Sequence, residues 1–294
     1  MQKLSKQVLD KMIERHVTGK EIDYLLETSR HQDNFGRVKG VYYKEVAEQM
    51  GLSYMQFYNV QKSLVEKGII HVEKNNYHDY DITILDNAYP NPEEDVKKKP
   101  YVNTNHDVFY TEEFRKMKPG AKLLTMYLMY VTRMNETNRF NSFKIGVQKL
   151  FEKFTGMLEV SKRVIRVYLT QIREFFSIGI VEGLYYITPK KKIYRSVGRK
   201  SEQANFSEHE VAVICRRNRI KIEKEKDLED VGKLISQYGP WAESHGKNIL
   251  KIIAEGISRS VDKLREAVAA KRRELQPPLV HLWIRSLLGI QESE

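Results

Sequence analysis

Residues 161–173 read SKRVIRVYLTQIR, and the spacing of their apolar and basic side chains determines how the surrounding chain is interpreted. In a helix, residues three or four positions apart lie on one face. One face would hold apolar residues, namely Ile165, Leu169, Ile172 and Phe176. The opposite face would hold basic and polar residues, namely Arg163, Arg166, Thr170 and Arg173, with Lys162 at its edge. We therefore predict a helix that starts near Ser161, buries one side and exposes a row of hydrogen-bond donors.

A basic β-hairpin is predicted to follow this helix. Residues 177–179 break the helix, and residues 180–187 are rich in aliphatic and aromatic side chains, which predicts a strand. Residues 188–192 read TPKKK and predict a charged turn before a return strand at Ile193. Between Lys144 and Lys200 there are 13 Lys or Arg and 4 Glu, a net charge of +9, whereas the whole chain has +11. Most of the excess positive charge is thus concentrated in this helix and hairpin.

The order helix, turn, basic helix, hairpin resembles a winged helix, a form of helix-turn-helix. In that family the second helix enters the DNA major groove and the wing follows the backbone. The resemblance implies DNA contacts in the helix and beyond it: Lys162, Arg163, Arg166, Thr170, Arg173, Lys190, Lys191, Lys192 and Arg195. The alternative is a solvated face on a small globular domain. Charge on both the helix and the hairpin favours DNA.

Composition sets limits on the class of protein. A chain of 294 residues is long enough for two or three domains, and 41% hydrophobic with 30% charged residues is typical of a folded globular protein.

The chain contains no apolar run of about 18 residues, so we expect no transmembrane helix and no membrane partner. The first residues lead into a charged amphipathic segment, so we expect no secretion signal. A single cysteine excludes an internal disulfide and a multi-cysteine zinc site, and we expect a cytoplasmic protein.

A second unit of the same kind is predicted between Gly19 and Leu85. Its first helix holds Ile22, Leu25 and Leu26, its second spans residues 43–50, and Gly51-Leu52-Ser53 forms the turn. Ser53 would cap a third helix, which buries Phe57, Val60 and Leu64. Strands are expected from Ile69 and from Tyr80, with a turn at residues 75–78. The segments 46–53 and 64–70 resemble the winged-helix pattern of bacterial regulators.

The two units differ in charge. Residues 20–86 hold 8 Lys or Arg and 11 Asp or Glu, a net charge of −3. The face of the third helix that would meet DNA offers Tyr54, Tyr58, Asn59 and Lys62. Because phosphate attraction supplies most non-specific affinity, an acidic unit lacks it. Either this unit reads bases while its partner holds the backbone, or it is a protein-binding or dimerisation module.

The chain is therefore divided into four parts. Residues 1–88 form the first winged-helix domain, 89–104 a Pro-rich linker, 105–200 the second, basic winged-helix domain, and 201–294 a helical C-terminal domain for dimerisation or partner binding. We expect a mainly α protein with small β-hairpin wings, an α+β fold. The run Gly120–Leu124 at the start of a long helix is similar to the opening helix of plasmid replication initiators that contain winged helices.

Catalytic chemistry is not indicated. The sequence has no glycine-rich phosphate loop, no histidine pair with metal-ligand spacing and no clustered carboxylates in a predicted site. Cys215 is expected to be a buried apolar residue. We therefore expect no enzyme, no cofactor and no metal.

The function expected from these features is sequence-specific binding of double-stranded DNA. A bacterial transcriptional regulator associated with the nucleoid is the main interpretation. The alternatives are a plasmid or phage replication initiator that binds origin repeats, and a protein-interaction adaptor in chromosome maintenance. The partners expected are double-stranded DNA, a second copy in a homodimer, and a protein bound through the C-terminal helices.

Overall fold

A computed structural model describes residues 2–74, 79–91, 99–132, 142–194 and 208–217, together with 228, 231, 232 and 235. The chain divides into two compact units, Met1–Lys200 and Ser201–Glu294. The described part is an α+β structure with small antiparallel sheets. No helix in the described ranges is long and apolar enough to cross a membrane.

The first half of unit Met1–Lys200 begins with a short strand and four helices interrupted by one more strand. These are β1 (Lys3–Ser5), α1 (Lys6–Glu14), α2 (Gly19–Ser29), β2 (Arg37–Val41), α3 (Tyr43–Met50) and α4 (Tyr54–Glu66). Strands β3 (Ile70–Lys74) and β4 (Tyr80–Ile84) follow, and the antiparallel sheet has the order β2-β4-β3. Ser53 caps α4 as predicted, because its hydroxyl accepts a hydrogen bond from the Gln56 amide. The turn predicted at residues 75–78 lies outside the described residues.

The second half has the same order of elements. Strand β5 (Tyr101–Asn103), a 3₁₀ turn (Asp107–Tyr110) and α5 (Glu112–Lys116) lead into α6 (Pro119–Val131). Then come β6 (Phe143–Gly146), α7 (Val147–Leu158), α8 (Lys162–Ile172), β7 (Phe176–Val181), β8 (Leu184–Pro189) and a 3₁₀ turn (Lys191–Tyr194). The sheet order is β6-β8-β7. The sequence helix-strand-helix-helix-strand-strand thus occurs twice, as α2 to β4 and as α6 to β8.

The two halves share one hydrophobic core. Helix α1 buries Val8, Leu9, Met12 and Ile13 and packs on α6 and α7 of the second half. Strand β1 pairs with β5, with Leu4 opposite Val102. The segment predicted as a linker, residues 89–104, is therefore partly folded into the core. Tyr89 is buried, and residues 101–103 form strand β5. The alternation of Tyr101, Val102 and Asn103 allows this, because one apolar side chain faces the core.

A buried ion pair also joins the halves. The Lys122 ammonium on α6 donates to both carboxylate oxygens of Asp23 on α2, at 2.6 and 2.7 Å, and lies 5.3 Å above the Phe114 ring. Lys122 is almost fully buried. Burial raises the pKa of Asp23 and lowers the pKa of Lys122, although each charge favours the other. Desolvation therefore offsets much of the attraction, as is usual for buried pairs.

Only a little of unit Ser201–Glu294 is described. Helix α9 (Glu208–Arg217) buries Val211, Val213 and Cys215, and burial raises the pKa of the Cys215 thiol to about 11. The helix predicted to begin here is confirmed, as is the buried position of Cys215. The capping residue Ser207 and most of the predicted C-terminal helices lie outside the described residues.

Removing one partner of the buried pair should be more damaging than removing both. Asp23→Ala leaves the Lys122 ammonium without its carboxylate, and we expect a loss of about 3 kcal/mol in the free energy of unfolding. The double variant Asp23→Leu/Lys122→Met should recover most of that loss, because an apolar pair has no desolvation cost. Urea unfolding of the full chain measures both. Equal losses in the single and double variants would contradict this account of the pair.

Candidate nucleic-acid interface

Helix α8 is positioned by a tight turn and by its buried stripe. Helix α7 ends at Glu159, whose backbone is left-handed (φ 51°), and Ser161 stands at the N-cap of α8 with its carbonyl accepting from the Ile165 amide. Four side chains of α8 enter the core: Ile165, Tyr168, Leu169 and Ile172. The predicted apolar face is confirmed for Ile165, Leu169 and Ile172. The predicted end of the helix is wrong, because the helix ends at Ile172 and Phe176 is buried in β7, which also contains residues 177–179.

The absence of a side chain at Gly120 lets α8 approach α6 closely. A Cβ built on Gly120 would lie 2.4 to 2.7 Å from two ring atoms and the hydroxyl oxygen of Tyr168, so any side chain there would force the tyrosine to move. Tyr168 is itself buried, and burial raises the pKa of its hydroxyl. The Tyr168 ring therefore lies directly against the backbone of α6, and this contact helps to position α8.

The exposed face of α8 contains the predicted basic and polar residues. Five side chains of the helix and its C-cap are exposed there: Lys162, Arg163, Arg166, Thr170 and Arg173. No acidic residue occurs between Lys162 and Arg173. At 1.5 Å per residue, the row is about 16 Å long. One apolar residue of α8, Val167, is also exposed, at 39%.

Two side chains of the row, Arg166 and Thr170, make contacts within the protein. The Arg166 guanidinium lies 5.2 Å above the ring of Phe151 on α7, and such a cation–π contact limits the conformations of the side chain. The Thr170 hydroxyl donates to the Arg166 carbonyl at 3.0 Å. The Thr170 hydroxyl oxygen can still accept a hydrogen bond, but its proton is already donated within the helix.

The hairpin differs from the prediction. Its turn is Glu182-Gly183 between paired Val181 and Leu184, so the single strand predicted over residues 180–187 is wrong. The return strand predicted at Ile193 is also wrong, because Ile193 lies in the 3₁₀ turn Lys191–Tyr194. Both turn residues have positive φ, 49° and 73°, as a type I′ turn requires. The side chains of Val181 and Leu184 at the tip are exposed and apolar. The hairpin therefore ends in aliphatic side chains and one acid.

The three lysines predicted for the hairpin turn lie elsewhere. They follow β8, at and within the 3₁₀ turn that begins at Lys191. The Lys190 ammonium donates to the carbonyl of Arg173 at 2.7 Å, and Lys192 forms an ion pair with Glu174. The Lys192 hydrogen bond also lowers the pKa of Glu174. Placing these lysines at the wing tip is thus wrong, because they sit at the C-terminal end of α8, where cations are favoured. Arg195 lies outside the described residues.

Other exposed cations flank α8, although the sequence alone assigned them no site. Lys144 on β6 lies 5.4 Å above the Tyr186 ring, and Lys153 on α7 lies 5.3 Å above the Tyr127 ring. Lys149 on α7 is also exposed. The signal that could have found Lys149 and Lys153 is their position on the helix that precedes the basic helix, whereas β6, which contains Lys144, was not predicted.

The corresponding face in the first half is aromatic. Tyr54, Asn59 and Lys62 of α4 are exposed, whereas Tyr58 is half-buried. Tyr58 lies 4.5 Å from Tyr54 and 5.9 Å from Tyr80, measured between ring centroids. Burial raises the pKa of Tyr58, and hydrogen bonds with Tyr80 and Tyr54 raise it further. Tyr58 therefore keeps its proton near neutral pH.

The two helices can be compared position by position, because the capping serines Ser53 and Ser161 precede both. Buried positions coincide, with Phe57, Val60 and Leu64 matching Ile165, Tyr168 and Ile172. Exposed positions diverge: where α8 has Arg163, Arg166 and Arg173, α4 has Met55, Tyr58 and Val65. The halves thus share a scaffold and present different chemistry.

The described residues contain no group of three or more His, Cys, Asp or Glu side chains that could hold a metal ion. Comparisons with protein-family models, with curated proteins and with solved structures gave no match.

Substituting Gly120 tests the packing of α8. Gly120→Ala should lower the free energy of unfolding by about 1–3 kcal/mol, because the added methyl overlaps the Tyr168 ring. Gly156→Ala is the matched control, since that glycine is exposed within α7 and an added methyl would meet no atom within 4 Å. The control should gain about 0.5–1 kcal/mol from helix propensity. Thermal and urea unfolding report both; two variants of equal stability would refute the close contact.

Proposed function

We propose that this protein binds double-stranded DNA sequence-specifically, with α8 as the recognition helix and both halves folded as winged helices. The observation that carries the proposal is the acid-free row of exposed donors on α8. The second helix of a helix-turn-helix enters the major groove, with its first residues near base edges. Helix α8 follows α7 through such a turn, and its row starts at its first residue.

The dimensions and chemistry of the row suit a major groove. B-DNA has a major groove about 12 Å wide, which admits a helix. Arginine can donate two parallel hydrogen bonds to guanine O6 and N7, so Arg163 and Arg166 are assigned to base reading. Lys162 and Arg173 at the ends of the row, with Lys191 beyond, are assigned to phosphates. The wing tip, with its apolar side chains and Glu182, is not assigned to phosphates.

The biological role proposed is that of a bacterial transcriptional regulator acting at the nucleoid. A second candidate is a plasmid or phage replication initiator that binds origin repeats. The observation that favours it is the difference between the two halves, one cationic and one aromatic, which suits one half for DNA and the other for protein. Mapping of bound sites separates the candidates: a promoter palindrome favours the regulator, and repeats in an AT-rich origin favour the initiator.

Removing one reading arginine should weaken binding and relax base choice. On a duplex chosen by in vitro selection, Arg166→Ala should cost about 1–3 kcal/mol and lose preference at one base pair. Arg15→Ala is the matched control, because it removes the same charge from an exposed position near the end of α1. Fluorescence anisotropy on selected and random duplexes measures both. Equal losses for the two variants, or equal losses on both duplexes, would reject Arg166 as a base-reading residue.

Affinity should also depend steeply on salt. If about six phosphates are neutralised, affinity should fall by ~10³ between 50 and 200 mM salt, because bound counterions are released from DNA. The full chain is required, since β1–β5 pairing and the Asp23–Lys122 pair join the halves. A flat salt profile would contradict the DNA proposal and leave the adaptor as the better interpretation.

A further inference from the structure

The exposed face of α4 is a hydrophobic surface whose role is not explained by DNA binding. Met55 is 65% exposed, Tyr54 58% and Val65 43%. Large exposed apolar groups that lie together mark interaction sites. Aromatic residues and methionine are also enriched in protein–protein interfaces. We name this surface, Tyr54, Met55, Tyr58, Asn59, Lys62 and Val65, the α4 face.

Its chemistry opposes a phosphate partner. The arginines of α8 are replaced on α4 by Met55, Tyr58 and Val65, and residues 20–86 have a net charge of −3. The Tyr58 ring packs edge-on against the rings of Tyr54 and Tyr80, with centroids 4.5 and 5.9 Å apart, so part of it is taken up by contacts within the tyrosine cluster. A protein surface is therefore the better fit for the α4 face.

The α4 face has different chemistry at its two ends. Tyr54 and Tyr58 form the N-terminal end, supported by Tyr43, whose ring centroid is 5.0 Å from that of Tyr54. Lys62 lies toward the other end, about 12 Å along the axis from Tyr54. Its ammonium has a loose contact with Glu66 at 3.9 Å. One end thus offers aromatic rings and the other the Lys62 ammonium beside the Glu66 carboxylate, with Asn59 between the two ends.

We propose that the α4 face binds the α4 face of a second copy of this chain, with the two helices antiparallel about a two-fold axis near Asn59. A two-fold contact requires a self-complementary surface. In this arrangement each Lys62 ammonium meets the Tyr54 and Tyr58 rings of the other copy in a cation–π contact. Met55 and Val65 supply apolar contact, and the helix dipoles are antiparallel, which is favourable.

A second copy satisfies both ends of the surface at once, and this distinguishes it from other occupants. When two such faces pair, the aromatic rings of each copy contact the lysine of the other. The assembly then closes as a dimer, because both α4 faces are covered and no third copy can add to them. The cations of α8 lie in the other half of the unit and take no part in this contact. The α4 face is separate from the proposed DNA contact, so the dimer does not depend on DNA binding.

A symmetric cross-link tests the contact directly. Asn59→Cys in the full chain should give a covalent dimer on oxidation without DNA, because residues near a two-fold axis meet their own copies. Val167→Cys is the matched control: it occupies the equivalent exposed position on α8 and should not cross-link. Native Cys215 is buried and should leave the unmodified chain monomeric on a non-reducing gel. Absence of the dimer in Asn59→Cys, or equal cross-linking of the two variants, would overturn the proposal.

A charge change tests the chemistry of the contact. In the Asn59→Cys background, Lys62→Glu should slow cross-linking at least about tenfold, because a carboxylate is repelled by the faces of the tyrosine rings. Lys62→Arg should retain it, since arginine also makes cation–π contacts. Circular dichroism checks that each variant folds. Cross-linking that is unaffected by Lys62→Glu would reject the proposed pairing, whether or not the protein binds DNA.

Discussion

The packing of the Tyr168 ring against the backbone of Gly120 is the contact on which the exposed face of α8 depends. Helix α8 is held in place by its buried side chains, Ile165, Tyr168, Leu169 and Ile172. The close approach at Gly120 brings α8 onto α6, and Lys122 on α6 connects to Asp23 in the first half. The same helix thus supports the cationic face and joins the two halves. Core packing thereby determines the direction in which the cations point.

The duplication of the element order explains how one chain can present two different surfaces. Most buried positions of α4 and α8 are apolar because each helix must cover a three-stranded sheet and its neighbours; the exception is Gln61 of α4, whose side-chain amide donates to the Tyr24 hydroxyl at 2.7 Å. Exposed positions have no such constraint. They have become Arg163 and Arg166 in one half, and Met55 and Tyr58 in the other. A DNA-binding surface and a self-association surface can therefore coexist in one compact unit, as the two proposals require.

Sequence periodicity predicted the long helices well, because their apolar residues recur at helical spacing. Helix α4 was found for this reason, whereas its Ser53 cap was found from the turn sequence Gly51-Leu52-Ser53 that precedes it. The short strands β2 and β6 were not found, because four or five residues give little periodic signal and their pairing with β4 and β8 is non-local. The Glu182-Gly183 turn was missed because the lysine-rich run nearby is the stronger turn signal in the sequence. The pairing of Lys192 with Glu174 depends on that turn, so it could not be foreseen either.

The central claim is that α8, and not α4, lies in the DNA groove. A hydroxyl-radical probe tethered to Val167→Cys on α8 or to Asn59→Cys on α4 tests this most directly, with each full chain kept reduced and bound to a selected, end-labelled duplex. We expect cleavage within a few base pairs from the α8 probe and none above background from the α4 probe. Cleavage from the α4 probe, with none from the α8 probe, would contradict the account.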